Sequence, residues 1–191
     1  MNDKQIQPAL LIIDMQNDFV DPNTRLYSEK ARSLIPLLNQ LTQASRSNNV
    51  PVIWVIQEHR RQLVDFGREG DISPVHCVEG TPGAALIEEL ERADSDYTVI
   101  KRRYSGFYAT DLELLLRNLG CDTVILTGIA TDGCVQATGL DAQARDYYVR
   151  AVVDATTGTS DEATAAALGA LGRMQPGVLI NSDEALVLLA R

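Results

Sequence analysis

Short runs of apolar, mostly β-branched residues alternate along this chain with stretches in which apolar residues recur at helical spacing. Six runs predict β-strands, and they cover residues 9–13, 50–56, 97–101, 123–128, 149–153 and 178–180. Strands separated by helices pair in parallel, because the helix supplies the crossover that a parallel connection needs. We therefore predict an α/β fold: a doubly wound, three-layer α/β/α arrangement around a six-stranded parallel sheet.

The length of the chain indicates one domain. It has 191 residues, of which 45% are hydrophobic, enough to fill the core of a single domain spanning residues 1–191. Thr110 and Glu113 have the spacing of a capping box before an apolar segment, and Gly120 is placed to end that helix. Residues 57–80 show no regular pattern, and a loop of that length in a compact domain is usually functional. Its charged residues are candidates for a lid or a subunit contact, although their pattern alone is typical of a solvated face: Arg60, Arg61, Asp65, Arg68 and Glu69.

The charge balance makes nucleic acids and anionic membranes poor partners. Lys and Arg total 17 against 26 Asp and Glu, a net charge of −9, so the long-range field repels phosphate groups. The apolar stretch that ends before Asp14 is too short for a signal sequence or a membrane span. Three widely spaced cysteines (Cys77, Cys121 and Cys134) provide neither a disulfide framework nor a zinc spacing. We expect a cytoplasmic protein with free thiols.

Three chemically reactive side chains follow predicted strands. Asp14 ends the first strand and Lys101 ends the third, and the fourth strand runs into the turn that carries Cys134. In a doubly wound sheet, ligands bind in the crevice at the carboxyl ends of the strands. A carboxylate, an ammonium and a thiol at that edge predict a site for nucleophilic catalysis.

Each of these residues also has a structural interpretation. A free cysteine is most often buried and inert, an Asp can cap a turn, and Lys101 begins the basic run KRRY, which is typical of a solvated face. Position favours the functional interpretation for Cys134. If Asp132 caps the following helix, Cys134 lies in its first turn, where the helix dipole lowers a thiol pKa.

Several blocks of the sequence resemble the isochorismatase-like cysteine hydrolases, which include nicotinamidases, N-carbamoylsarcosine amidase, and ureidoacrylate and biuret hydrolases. The similar blocks, in chain order, are LLIIDMQNDFVDP, HCVEGTPGAAL, VIKRRYSGFYATDLELLLRNLG, DTVILTGIATDGCVQAT and AVVDATTGT. The resemblance implies a Rossmann-like fold, a catalytic triad of Asp14, Lys101 and Cys134, and a homo-oligomer, either dimer or tetramer.

The resemblance also implies a way to stabilise the reaction intermediate. The family has a non-proline cis peptide before its nucleophile, which would lie between Ile129 and Ala130. The backbone N–H groups of Ala130 and Cys134 would then form an oxyanion hole. The implied reaction is attack of Cys134 on an amide or ureido carbonyl, with a thioester intermediate and release of ammonia or an amine.

The choice among substrates is limited by the absence of a metal-binding pair of residues from the sequence. Nicotinamidases bind a divalent metal through an Asp-x-His pair and further histidines, whereas this chain has only His59 and His76, with Glu58 directly before His59. His76 matches one of those ligands, but we expect no metal and no cofactor. Small ureido or carbamoyl compounds, such as biuret, triuret or ureidoacrylate, are the predicted substrates. A nicotinamidase-like small-amide hydrolase is the alternative, and a non-catalytic binding module is a further one.

Four residues are candidates for contact with the substrate. Gln175 in RMQPG resembles the glutamine that biuret hydrolases offer to their substrate, although it is equally compatible with a surface position before a turn. Phe19, Tyr104 and Phe107 are candidate pocket walls, although aromatic residues beside strand ends more often belong to the core.

Overall fold

The computed structural model describes residues 6–190. It contains six strands: β1 (Pro8–Ile13), β2 (Val52–Gln57), β3 (Tyr97–Lys101), β4 (Thr123–Ile129), β5 (Tyr148–Thr157) and β6 (Leu179–Ile180). They form one parallel sheet in the order β3-β2-β1-β4-β5-β6. The predicted α/β fold is confirmed, and the ends of the predicted strands agree with the observed ones to within two residues, except that β5 continues from 153 to Thr157.

Helices cover both faces of the sheet. They are α1 (Asn17–Val20), α2 (Glu29–Ser33), α3 (Ile35–Ser47), α4 (Leu112–Asn118), α5 (Gln136–Gln143), α6 (Asp161–Leu171) and α7 (Ser182–Leu189). Short 3₁₀ turns occur at Gly67–Asp71 and Pro82–Ala84. No helix within residues 6–190 is both long and apolar enough to cross a membrane.

The alternation of side chains along the strands divides the core into two layers. In β1, Leu10 and Ile12 belong to the layer that includes residues of α3 and α7. Leu11 and Ile13 belong to the layer that includes residues of α4, α5 and α6. All four side chains have no solvent exposure. A strand covered on both faces must be apolar at every position, which explains the continuous run in β1.

Helix α4 begins differently from the predicted capping box. The Thr110 hydroxyl donates to the Gly106 carbonyl and accepts from the Leu112 N–H, and Asp111 occupies the N-cap position. Glu113 turns away from the helix start and pairs with Arg117 and Arg145. The capping-box prediction is therefore wrong, because two arginines compete for the Glu113 carboxylate. Gly120, with a φ of 70°, ends the helix as predicted.

Candidate functional site

The carboxyl ends of β1, β3 and β4 bring Asp14, Lys101 and Cys134 together. Lys101 Nζ lies 2.8 Å from Asp14 Oδ2 and donates a hydrogen bond of 3.3 Å to Cys134 Sγ. The side chains of Lys101 and Asp14 are 0% and 2% exposed, and Cys134 is 7% exposed. The ammonium thus bridges the carboxylate and the sulfur in a site almost closed to water, at the point where the strand order reverses between β1 and β4.

A glycine lets β4 approach the end of β1. Gly128 has a φ of 92°, and a Cβ atom at this position would lie 2.2 Å from the Ile13 carbonyl oxygen. Asp14 follows Ile13 directly, has a φ of 52°, and donates its N–H to the Val55 carbonyl at 2.9 Å. The backbone around Asp14 is therefore fixed on one side by β2 and on the other by the close approach of Gly128 in β4.

The segment that carries Cys134 is a π-helical turn, Thr131–Val135. It follows a cis peptide bond between Ile129 and Ala130. The Ala130 carbonyl accepts from the N–H groups of Gly133 (3.0 Å) and Val135 (3.1 Å), the residues on either side of Cys134. These two hydrogen bonds close the turn at the Ala130 carbonyl and fix the backbone on both sides of Cys134.

Asp132 does not cap the helix that follows. Its carboxylate accepts from the backbone N–H and the hydroxyl of Thr159, in the loop after β5. The predicted cap is therefore wrong, because Thr159 offers two donors to the carboxylate. Asp132 instead fastens the turn of Cys134 to the neighbouring loop.

Burial and charge set the protonation states of the site. Burial would lower the pKa of Lys101, but the Asp14 carboxylate and Cys134 raise it, so the ammonium form persists. Burial, followed by the Asp14 carboxylate, raises the pKa of the Cys134 thiol, and Lys101 only partly opposes this. The predicted lowering of this pKa is wrong, because desolvation outweighs the nearby positive charge. The resting site therefore holds a protonated Cys134 thiol beside the Lys101 ammonium.

A second polar cluster lies beside this site. Ligand-type atoms of His59, Glu69 and His76 all lie within 4.8 Å of one another. His76 Nε2 lies 3.2 Å from Glu69 Oε1, and His76 Nδ1 lies 2.8 Å from the Pro74 carbonyl oxygen. Hydrogen bonds from His76 and Gln57 to Glu69 outweigh its burial, so the pKa of Glu69 is lowered and the carboxylate stays ionised.

The side chain of Gln57 occupies the centre of this cluster. Its Nε2 atom lies 2.9 Å from His59 Nε2 and 3.2 Å from His76 Nε2. The same atom donates to Glu69 Oε2 at 3.0 Å. An amide nitrogen donates hydrogen bonds and offers no lone pair to a cation. The arrangement therefore does not fit a metal ion, although its two histidines and one carboxylate are of the types that bind zinc.

The sequence named His59 and His76 as candidates but did not place Gln57 and Glu69 with them. Gln57 and His59 keep the two-residue spacing of an Asp-x-His pair, with glutamine in the place of aspartate, and that spacing was the available signal. Glu69 had no local signal, because the irregular path of the loop determines where it lies.

Two of the predicted substrate contacts lie at the site. The Phe19 ring packs edge-on against His76, with ring centroids 5.3 Å apart. Tyr104 is 42% exposed, and burial, Glu69 and Cys134 raise the pKa of its phenol. The Phe19 ring thus borders the polar cluster.

The other two predicted contacts are wrong. Phe107 is 5% exposed and packs in the core against Tyr147, with ring centroids 5.8 Å apart. Gln175 donates to the Tyr147 carbonyl (2.8 Å) and accepts from the Val149 N–H (3.1 Å). Those groups lie at the amino end of β5, opposite the edge that holds Cys134. The Gln175 amide satisfies two backbone groups there and is not available to a substrate at the site.

One surface cavity lies apart from the triad. It has a volume of about 300 Å³ and contains none of the residues of the triad or of the polar cluster. Its lining residues are Ile56, Glu58, Gly80, Thr81, Ala84, Ala85, Leu86, Arg92 and Thr98.

Known proteins are similar to this chain in sequence over most of its length. The isochorismatase domain family matches residues 8–183. A "probable inactive nicotinamidase" of Arabidopsis thaliana is 34% identical over 163 residues, 81% of this chain and 82% of the relative. A nicotinamidase/pyrazinamidase of Mycobacterium tuberculosis is 33% identical over 172 residues, 84% and 91% of the two chains. A ureidoacrylate amidohydrolase of Methylorubrum extorquens is 29% identical over 170 residues, 78% and 68% of the two chains.

A solved structure shows the same arrangement of elements. The pyrazinamidase of Pyrococcus horikoshii, determined in complex with zinc, superposes on this chain with a TM-score of 0.83 at 29% identity. The superposition covers 92% of this chain and 99% of the pyrazinamidase. The similarity therefore includes the sheet and the edge at which the candidate site lies.

Proposed function

This chain belongs to the isochorismatase family and is a hydrolase of carbon–nitrogen bonds; we propose that it is a cysteine-dependent amidohydrolase acting on a small ureido or carbamoyl compound. The observation that supports this most strongly is the position of Lys101 Nζ, 2.8 Å from Asp14 and 3.3 Å from Cys134 Sγ. A nucleophile, a base and a group that orients the base form the unit that covalent catalysis requires.

Asp14 acts as the general base in the first step. Neither of its carboxylate oxygens has a well-aligned hydrogen-bond donor within residues 6–190, although Oδ2 lies 2.8 Å from Lys101 Nζ. The carboxylate can therefore accept the thiol proton while sulfur forms a bond to the substrate carbonyl carbon. Because the pKa of Cys134 is raised, this proton transfer accompanies the attack rather than preceding it.

Backbone N–H groups of Ala130 and Cys134 stabilise the negative oxygen of the tetrahedral intermediate. One such donor is worth roughly 10²–10³ in kcat. The intermediate collapses with cleavage of the C–N bond, and protonated Asp14 gives its proton to the departing nitrogen. Water then attacks the thioester with Asp14 again as base, which releases the acid and restores the thiol.

The polar cluster supports the choice of a ureido or carbamoyl substrate. Such a substrate carries N–H groups beside its carbonyl, and the ionised Glu69 carboxylate, whose side chain is 11% exposed, is a hydrogen-bond acceptor in the polar cluster beside the triad. The segments CVEGTPGA and KRRYSGF also resemble ureido hydrolases, and a ureidoacrylate amidohydrolase is 29% identical to the chain. A nicotinamidase-like substrate is the second candidate, favoured by the nicotinamidase relative at 33% identity.

The test is an ammonia-release screen over biuret, triuret, ureidoacrylate, N-carbamoyl amino acids, maleamate and nicotinamide. We expect ureido compounds to be cleaved fastest, and Cys134→Ala to abolish the release. Cys121→Ala is the matched control, because it removes a buried thiol whose pKa burial raises to about 11 but which lies outside the site. Preference for nicotinamide would favour the second candidate. Substantial release by Cys134→Ala, or none by the unmodified protein on any compound, would contradict the proposal.

A further inference from the structure

We propose that the Gln57 carboxamide occupies the position that a metal ion would have beside the triad. Its nitrogen donates hydrogen bonds to His59 and Glu69, and its oxygen accepts one from Lys101. The first part concerns metal binding alone. The second part rests on the proposed function, because it treats Lys101 as a participant in the reaction.

The orientation of the amide follows from Lys101. Gln57 Oε1 accepts a hydrogen bond of 3.2 Å from Lys101 Nζ, a group that can only donate. The carbonyl end of the amide must therefore face Lys101. The NH₂ end consequently faces the cluster, where His59 Nε2 at 2.9 Å and Glu69 Oε2 at 3.0 Å take its two hydrogens.

The backbone of Gln57 is held as firmly as its side chain. Its N–H donates to Gln16 Oε1 at 2.8 Å, and its carbonyl accepts from Gln16 Nε2 at 2.7 Å. Gln57 also pairs with Lys101 in the register of β2 and β3. Gln16 and Gln57 are 0% and 1% exposed. The amide is therefore not a mobile group that would move aside for an ion.

A cation in the cluster would have to displace this amide. Its ligands lie around the Gln57 nitrogen, so an ion could enter only if the Gln57 side chain left and released Lys101 as well. Within residues 6–190, Lys101 is then the buried positive charge in contact with Asp14. A neutral amide keeps the two histidines and Glu69 in place without adding charge.

The experiment measures metal retention and needs no substrate. Protein incubated with Zn²⁺ is separated from free metal, and its zinc content is measured by mass spectrometry. We expect wild-type protein to retain less than about 0.1 zinc per chain and Gln57→Asp about one. Aspartate is one methylene shorter than glutamine, so it leaves room for an ion and adds a carboxylate ligand to two histidines and Glu69.

Two controls locate the bound metal. Gln62→Asp makes the same substitution at an exposed position of the loop that follows β2 and should retain no more zinc than wild type. Adding His76→Ala to Gln57→Asp should remove the gained zinc. If Gln57→Asp does not fold, calorimetric titration of wild-type protein with Zn²⁺ still decides the question. One equivalent of zinc bound by wild type and lost in His76→Ala would overturn the proposal.

The contact with Lys101 has its own test. Gln57→Met keeps the length of the side chain and removes both polar ends, so we expect kcat to fall about tenfold while KM changes less than about twofold. An unchanged kcat would overturn the positioning role of Gln57. The metal measurement stands even if the proposed amidase activity is not found.

Discussion

Lys101 Nζ lies 2.8 Å from Asp14 Oδ2, and both side chains are almost completely buried. A buried ion pair stabilises a fold little more than an apolar pair of similar volume would. Removing one partner, however, leaves a buried charge that lowers the free energy of unfolding strongly. The pair therefore belongs to the candidate site and constrains which substitutions the fold tolerates.

Asp14→Asn should reduce activity and stability together. Loss of the base should lower kcat by about 10²–10⁴. The unpaired Lys101 should lower the free energy of unfolding by about 3–5 kcal/mol, measured by urea denaturation. The double variant Asp14→Asn/Lys101→Met should recover most of the stability but none of the activity. A single variant as stable as wild type would contradict the coupling of the two charges.

Gly128→Ala should destabilise the sheet where β1 meets β4. A methyl group there would clash with the Ile13 carbonyl oxygen, and the φ of 92° disfavours any side chain. We expect a loss of about 2–4 kcal/mol in the free energy of unfolding. Gly169→Ala is the matched control, because a Cβ atom at this position of α6 would meet nothing outside its own helix within 4 Å, and it should stabilise the helix by about 0.5–1 kcal/mol. Equal effects of the two substitutions would refute the close-approach argument.

The two histidines should titrate on opposite sides of pH 6.5. Burial lowers the pKa of His59 below 6.5. Burial would also lower the pKa of His76, but its bonds to Glu69 and the Pro74 carbonyl raise it above 6.5. Proton NMR of the imidazole C–H signals, assigned with His59→Gln and His76→Gln, would measure both. The reverse order would contradict the assigned contacts.

The raised pKa of His76 predicts how the free energy of unfolding depends on pH. A raised pKa in the folded state means that His76 contributes stability that is complete below pH 6.5 and lost as pH rises through the folded pKa. His76→Gln should therefore lose more stability at pH 6 than at pH 8.5, measured by urea denaturation at each pH. A larger loss at pH 8.5 would contradict this.

Asp96→Asn should destabilise the layer around Trp54. The Asp96 carboxylate accepts from Arg46 (2.9 and 2.7 Å) and from Trp54 Nε1 (2.9 Å). Burial alone would raise the pKa of Asp96, but these bonds lower it, so its contribution is present above pH 3.8 and lost as pH falls through the folded pKa. We expect a loss of about 2 kcal/mol at pH 7, followed by Trp54 fluorescence. The exposed Asp94→Asn should change little, and a similar loss there would count against the assigned contacts.

The fold and the triad could be predicted because both follow from periodic features of the chain. The apolar runs fixed the six strands, and the ends of those strands placed Asp14, Lys101 and Cys134 on one edge. Glu69 could not be predicted, because it lies twelve residues from Gln57 in an irregular loop. Gln175 was wrongly predicted because nothing in the sequence indicates that its amide bonds the backbone groups of Tyr147 and Val149 at the start of β5.

The state of the Cys134 thiol also escaped sequence reasoning. Position near a helix start predicted a lowered pKa, but the π-helical turn buries the sulfur beside a carboxylate, and burial prevails. Only the three-dimensional environment of the atom reveals this balance.

The protonation of the Cys134 sulfur at rest affects how fast the protein reacts with peroxide. Peroxide attacks thiolates, and the first product, a sulfenic acid, can no longer act as a nucleophile toward a carbonyl. We therefore expect Cys134, a buried thiol with a raised pKa, to react slowly with peroxide.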